Sequence, residues 1–179
     1  MRDLIRNEVS LKGLAMLILV AFSVAFAVIF VEEYCAVFSE FGFIAKRRLI
    51  DQPAVAFIIT PIFFWISAYL CRRFAENASG NSMEHINEAL EEAEKRPEGF
   101  EKISNIMGAR VIMVKTISSL LCVFSGGALG REGPAAHMTS GIFAVMSYRF
   151  RAFLPKAKLE TWIIAGSATG MAIAFYAPI

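Results

Sequence analysis

Long uncharged apolar runs alternate with short charged segments along this chain. Residues 14–31, 53–71, 133–148 and 161–179 contain no Asp, Glu, Lys or Arg. A helix that spans the hydrocarbon core of a bilayer needs about 20 mostly apolar residues. The first run, Leu14 to Val31, is closed by Glu32, Glu33 and Tyr34 and reaches ~27 Å at about 1.5 Å per residue. The segment 36–52, with Lys46, Arg47, Arg48 and Asp51, reads as a connection. Pro53 then opens a second run to Cys71, closed by Arg72 and Arg73. Pro61 is expected to kink it, and Trp65 and Tyr69 suit a membrane interface.

Residues 74–110 break this pattern. They are polar and acidic, with Met83, Ile86 and Leu90 at helical spacing among Glu84, Glu88, Glu91, Glu92 and Glu94. This predicts a short amphipathic helix with Asn81 or Ser82 as its N-cap. Pro97 and Gly99 mark a loop. The next helix, from Ser104 to Phe124, is apolar except for Arg110 and Lys115. Gly126, Gly127 and Gly130 end it, and Pro134 suits the first turn of the helix that follows. A basic connection with Arg149, Arg151, Lys156 and Lys158 leads to the last apolar run. The prediction is an all-α, polytopic membrane protein with one transmembrane domain over 1–179. Its helices are expected near 12–35, 53–73, 82–95, 104–125, 133–148 and 158–177.

Composition agrees. Apolar residues make up 56 % of the chain and charged residues 19 %, against about 45–50 % (Gly included) and about 25 % in soluble proteins. A net charge of +2 with no basic stripe excludes nucleic-acid binding by electrostatics. The N-terminal apolar run is longer than a signal peptide's core of roughly 7–15 residues and reads as a retained helix. Cys35, Cys71 and Cys122 form no CxxC pair, which argues against a disulfide framework or a zinc site. His85 and His137 have no partner at metal-ligand spacing and read as satisfied or solvated side chains. No nucleophile, metal cluster or cofactor turn appears, so no enzyme activity and no cofactor is expected. A P-loop is excluded because no Gly-Lys-Ser/Thr follows the glycines.

The unusual chemistry lies in two glycine turns that open helices. In Gly130-Arg131-Glu132-Gly133-Pro134, free N–H groups and a positive dipole end point back at the turn, which suits an anion. Ionised, Glu132 can occupy that anion position itself; protonated, it can leave. An intramembrane acid is a functional candidate by default. The alternative is a structural Arg131–Glu132 pair with glycines serving close packing. The second turn is Ser79-Gly80-Asn81-Ser82-Met83-Glu84, where Asn81 offers two N–H donors and Ser82 a hydroxyl. Its alternative is a plain N-cap. The pairs Gly126/Gly130 and Gly166/Gly170 have the small-xxx-small spacing of close helix packing.

These residues resemble the CLC chloride channel and transporter family. Gly130-Arg131-Glu132-Gly133-Pro134 is similar to its signature turn. The stretch from Ala165 to Pro178 resembles its AAAGLAAAFNAP-like helix, and Gly80-Asn81-Ser82-Met83-Glu84-His85-Ile86 stands where the family has GSGIPEI. The resemblance implies the first of two inverted repeats, with tilted and broken helices, in a homodimer with one pore per subunit. It implies that Glu132 is the gating and proton-accepting carboxylate, with Asn81, Ser82, Arg131, Glu132 and Gly133 binding the anion. Asn81 replaces the family's anion-coordinating serine, Ser82 its next glycine and Glu84 its proline. The fluoride/proton antiporters of the bacterial branch look like this. A fluoride/proton exchanger of a bacterial inner membrane is therefore expected. The alternatives are a chloride channel or chloride/proton antiporter, or a membrane fragment without transport. The uncharged ending at Ala177-Pro178-Ile179 leads us to expect a piece of a longer protein, unless the last run ends at an interface.

Overall fold

The first apolar run continues as helix well beyond its last apolar residue. The computed structural model describes residues 2–95, 100–151 and 158–177, with side chains described from residue 13 onward except Ala15 and Met16. Residues Pro97, Gly99, Lys156 and Pro178, noted in the sequence, lie outside the described residues. Helix α1 covers Arg2–Asp51 without interruption, so the connection expected at 36–52 is helical. Nothing in that segment stops a helix: it holds no proline, and its charges are spaced on a helical surface. The stop comes from Pro53, which disfavours the helical conformation in the residue before it. Gln52 accordingly sits at φ −140° and ψ 68°. Pro53 itself opens α2, Pro53–Phe74, which runs on through Pro61.

A short 3₁₀ turn over Glu76–Ala78 leads to α3, Ser82–Lys95. Helix α4, Phe100–Met107, and α5, Ala109–Phe124, replace the single helix expected over 104–125. The break is at Gly108, whose N–H donates to the Ser104 carbonyl at 2.8 Å. A Cβ there would lie 2.6 Å from Ser104 Oγ, so only glycine lets the two helices join so tightly. Helices α6, Glu132–Arg149, and α7, Leu159–Ala174, complete the described chain.

Helix α6 is the centre of the fold. Its residues from Pro134 through Ala144, and Ser147, are buried. A helix covered on all sides belongs in the interior, and α1, α3, α4, α5 and α7 all pack on it. Helix α7 lies closest. A Cβ on Gly166 would lie 2.7 Å from Ser140 Cα, and one on Gly170 2.7 Å from Ala136 Cα. This pair packs helices as its spacing predicts. The pair Gly126/Gly130 does not: Gly126 meets nothing within 4 Å and has φ +98°. Its glycine serves a left-handed turn.

Among the described residues, three stretches are long and apolar enough to cross a membrane: Leu17–Asp51, Pro53–Phe74 and Phe100–Phe124. Phe57, Ile58 and Trp65 on α2 point outward, Phe57 with 84 % of its surface exposed. Such an apolar surface suits lipid. Helix α2 is tied to α5 by side-chain hydroxyls: Thr60 Oγ1 donates to the Ser125 carbonyl at 2.6 Å, and Ser67 Oγ to the Ser118 carbonyl at 2.9 Å.

Candidate functional site

Two helices begin side by side. At the start of α6, Pro134 falls in the first turn, and no side chain caps the terminus. At the start of α3, Ser82 is buried. A Cβ on Gly133 would stand 3.3 Å from Ser82 Oγ. The glycine thus allows the two N-termini to approach, and their dipoles add positive potential at one place.

The candidate residues divide between two sides of this junction. The Glu132 carboxylate folds back over the glycine turn, where a Cβ on Gly130 would be 2.5 Å from its Oε2. Tyr34 and Cys35 of α1 lie within its electrostatic reach. Arg131 is engaged elsewhere. The guanidinium Nη1 donates to Ser39 Oγ at 3.4 Å and lies 5.0 Å over the Tyr176 ring. No Arg131–Glu132 ion pair forms among the described residues, which overturns the structural pair held open from the sequence.

Asn81 is exposed and occupied. Its Oδ1 accepts the Met83 N–H at 3.1 Å, and its Nδ2 donates to Glu84 Oε1 at 3.2 Å. It is the N-cap of α3, closed by the residue three positions on. Gly80 has φ +80° and swings the chain into this cap. On the inner side of the turn, Ser82 lines a cleft of about 390 Å³ between α2, α5 and the start of α6.

That cleft contains the residue that sequence reasoning passed over. Lys115 lines it together with Ser79, Ser118, Ser119 and Pro134. Only 3 % of Lys115 is exposed, and its Nζ has no hydrogen-bond partner among the described residues. A buried ammonium without a partner is costly. The hydroxyls around it are already engaged. Ser119 Oγ donates to the Lys115 carbonyl at 2.7 Å and accepts from Tyr34 Oη at 3.0 Å. The sequence held the signal, a lysine inside an apolar helix, which in a membrane is a functional candidate by default. No cluster of three or more metal-ligating side chains occurs among the described residues.

His85 is a satisfied side chain, its Nε2 donating to the Ser79 carbonyl at 2.7 Å, whereas His137 departs from the reading as satisfied or solvated. His85 and His137 stack with ring centroids 5.8 Å apart. His137 is 1 % exposed, and its Nε2 has no hydrogen-bond partner among the described residues.

The described residues thus bring two helix N-termini, a carboxylate and a buried lysine together in a helical bundle with membrane-spanning stretches. Residues 62–179 match the family described as Voltage gated chloride channel. The chain therefore belongs to the voltage-gated chloride channel family, and it is an integral membrane protein of a transport family, not an enzyme family. It is 34 % identical over 125 residues to the H(+)/Cl(-) exchange transporter ClcA of Klebsiella pneumoniae, covering 70 % of this chain and 24 % of that one. It is 35 % identical over 138 residues to the ClcA of Yersinia pseudotuberculosis, covering 76 % and 26 %. It is 34 % identical over 118 residues to the human H(+)/Cl(-) exchange transporter 3, covering 65 % and 13 %. The chain thus spans about a quarter or less of the length of these relatives. No solved structure matches it.

Proposed function

We propose that this chain supplies one anion-binding half of a proton-coupled halide exchanger in a bacterial inner membrane. The observation that carries the reading is the convergence of the α3 and α6 N-termini at Ser82 and Gly133, beside a cleft holding the buried Lys115. The uncapped N–H groups of Glu132 and Gly133 and the Ser82 hydroxyl supply donors, and Lys115 supplies the charge. Glu132 stands at the same helix terminus. Ionised, it competes with an anion for the positive potential; protonated, it loses that attraction. One group thereby exchanges a proton for an anion. Arg131 holds the turn against α1 and Tyr176. A second repeat and a second subunit complete the pathway in the homodimer.

Chloride is the anion in this reading, by similarity to relatives whose names specify H(+)/Cl(-) exchange. A second reading, fluoride, is favoured by the pair Asn81-Ser82 in the α3 turn. A carboxamide next to a hydroxyl offers dense donors to a small, strongly hydrated anion. That reading requires Asn81 Nδ2 to exchange Glu84 for the anion.

Flux in proteoliposomes of the full-length protein tests both. Anion-driven proton movement is expected, and Glu132→Gln is expected to abolish it while anion movement continues. Unchanged coupled exchange in Glu132→Gln refutes the role of Glu132. Fluoride flux exceeding chloride flux at least tenfold decides for the second reading.

A further inference from the structure

Most hydroxyls that line the Lys115 cleft point their protons at the backbone. A serine has one proton to donate. Ser67 Oγ donates to the Ser118 carbonyl, Ser79 Oγ to the Glu76 carbonyl and Ser119 Oγ to the Lys115 carbonyl. Ser118 Oγ donates to that same Lys115 carbonyl at 3.2 Å. All four serines line the cleft. An anion entering here meets few hydroxyl donors besides Ser82, so its reception falls to positive charge.

The cleft carries two cations at different depths. Lys115 is 3 % exposed. Arg72, in the last turn of α2, lines the same cleft but is exposed. Helices α2 and α5 run antiparallel, since Ser67 bonds to Ser118 and Thr60 to Ser125. That pairing puts Arg72 near the level of Lys115 along the helix axes, with Arg72 at the open edge and Lys115 inside. No carboxylate forms an ion pair with Arg72 among the described residues. Arg73 is also exposed and also in the last turn. It is not among the residues that line the cleft, and its guanidinium carbon lies 5.9 Å from the Phe74 ring centroid. Both arginines suit the negative end of α2. The helix terminus therefore explains a basic residue, but not one that lines the cleft.

An exposed charge and a buried one act differently on an approaching ion. A cleft lined by one sign of charge focuses the field and speeds encounter. A charge at the edge acts on that encounter and is screened by salt, whereas a buried one acts on retention. We propose that Arg72 is the capture residue of the cleft. It draws a halide from solution to the open edge, from which the ion passes inward to the Lys115 ammonium. The proposal rests on the anion-binding reading above and adds to it the residue that sets the rate of entry.

The experiment uses the full-length protein in proteoliposomes. Initial chloride flux is measured against chloride concentration at ionic strengths of about 0.02 and about 0.3 M, set with sodium gluconate, which bracket a Debye length of ~10 Å. The slope at low chloride and the saturating flux are read separately. The parent slope should fall at least threefold from the lower to the higher ionic strength. Arg72→Gln should lower the slope at low ionic strength at least threefold, flatten its salt dependence and leave the saturating flux within twofold. Arg72→Glu should lower the slope further, and Arg72→Lys should keep at least half of it. Arg73→Gln should leave slope and salt dependence within 1.5-fold of the parent. An unchanged slope and salt dependence in Arg72→Gln overturn the capture role and leave the proposed function standing. So does an equal loss in Arg73→Gln, which marks a general effect of surface charge. So does a loss of saturating flux as large as the loss of slope, which marks a structural residue. No anion flux in the parent overturns the proposed function and the inference with it.

Discussion

Ser82 and Gly133 meet where α3 and α6 begin, with Ser82 Oγ 3.3 Å from the place of a Cβ on residue 133. A glycine in the second position of a helix has no intrinsic need to be one. Here the neighbour supplies the reason: the space of one methyl group separates the two N-termini. Gly133→Ala should push the α3 turn away by a few tenths of an ångström. We expect a modest loss of stability, about 1 kcal/mol for mild overpacking, and a larger fractional loss of anion affinity. Gly133→Val should exceed both effects. Thermal unfolding and anion titration on the same preparations check this; an alanine variant with normal affinity removes Gly133 from the site.

Lys115 separates stability from function. Its ammonium is buried without a hydrogen-bond partner among the described residues, and a buried charge without a partner costs folding free energy that an apolar side chain of similar length does not. Lys115→Met should therefore raise the unfolding temperature, or leave it unchanged, and lower anion flux at least tenfold. A structural lysine gives the opposite pair of results. Lys115→Arg should restore part of the flux, because the charge is kept.

Sequence reasoning reached the helical membrane architecture because uncharged runs of membrane-spanning length have few other folded solutions. It placed the two glycine turns because glycines beside a helix-opening proline (Gly133-Pro134) or an N-capping Asn (Gly80-Asn81) are locally interpretable. It did not reach contacts between distant segments. Lys115 stood in plain view as a charge in an apolar helix, but its cleft is built from α2, α5 and the α3 turn and has no one-dimensional pattern. His85 and His137 are 52 positions apart and come together only because α3 crosses α6. The charges Lys46, Arg47, Arg48 and Asp51 make 36–52 read as a connection, yet α1 runs through them to Asp51. Helices continue through polar residues, and the true stop was the backbone restriction imposed by Pro53 on Gln52.

Arg131 and Tyr176 form a clamp between the glycine turn and the end of α7. Tyr176 follows the helix with φ +53°, a left-handed conformation that costs a residue other than glycine roughly 1–2 kcal/mol. The guanidinium 5.0 Å over its ring offsets about 0.5–1 kcal/mol of that at an exposed site. Tyr176→Gly should thus lose the clamp but relieve the strain, with little net change in stability. Tyr176→Ala should keep most of the strain and lose the clamp, and so be the less stable variant. A double-mutant cycle of Arg131→Gln with Tyr176→Ala should give a coupling of about 0.5–1 kcal/mol. Additive effects show that Arg131 is held by Ser39 alone.

The last prediction concerns the contact that fixes α6 in place. On α7, a Cβ at Gly170 would lie 2.6 Å from the Ala135 carbonyl and 2.7 Å from Ala136 Cα, both backbone atoms of α6. Backbone cannot step aside as a flexible side chain can, so Gly170→Ala must move one helix away from the other. Forced overpacking of this kind costs typically about 1–3 kcal/mol. The displacement reaches the site, because Ala135 and Ala136 lie within one turn of Gly133 on the same helix. Gly170→Ala should therefore lower stability by that amount and also weaken anion binding, although Gly170 is not among the residues that line the cleft. The comparison is Gly126→Ala, which meets nothing within 4 Å but has φ +98°. Its cost, roughly 1–2 kcal/mol, is one of backbone conformation alone, and it should leave anion affinity within twofold of the parent. Unfolding and anion titration of the two variants side by side distinguish helix displacement from local strain. Equal effects of the two on affinity mean that the α6–α7 contact does not set the position of the helix terminus.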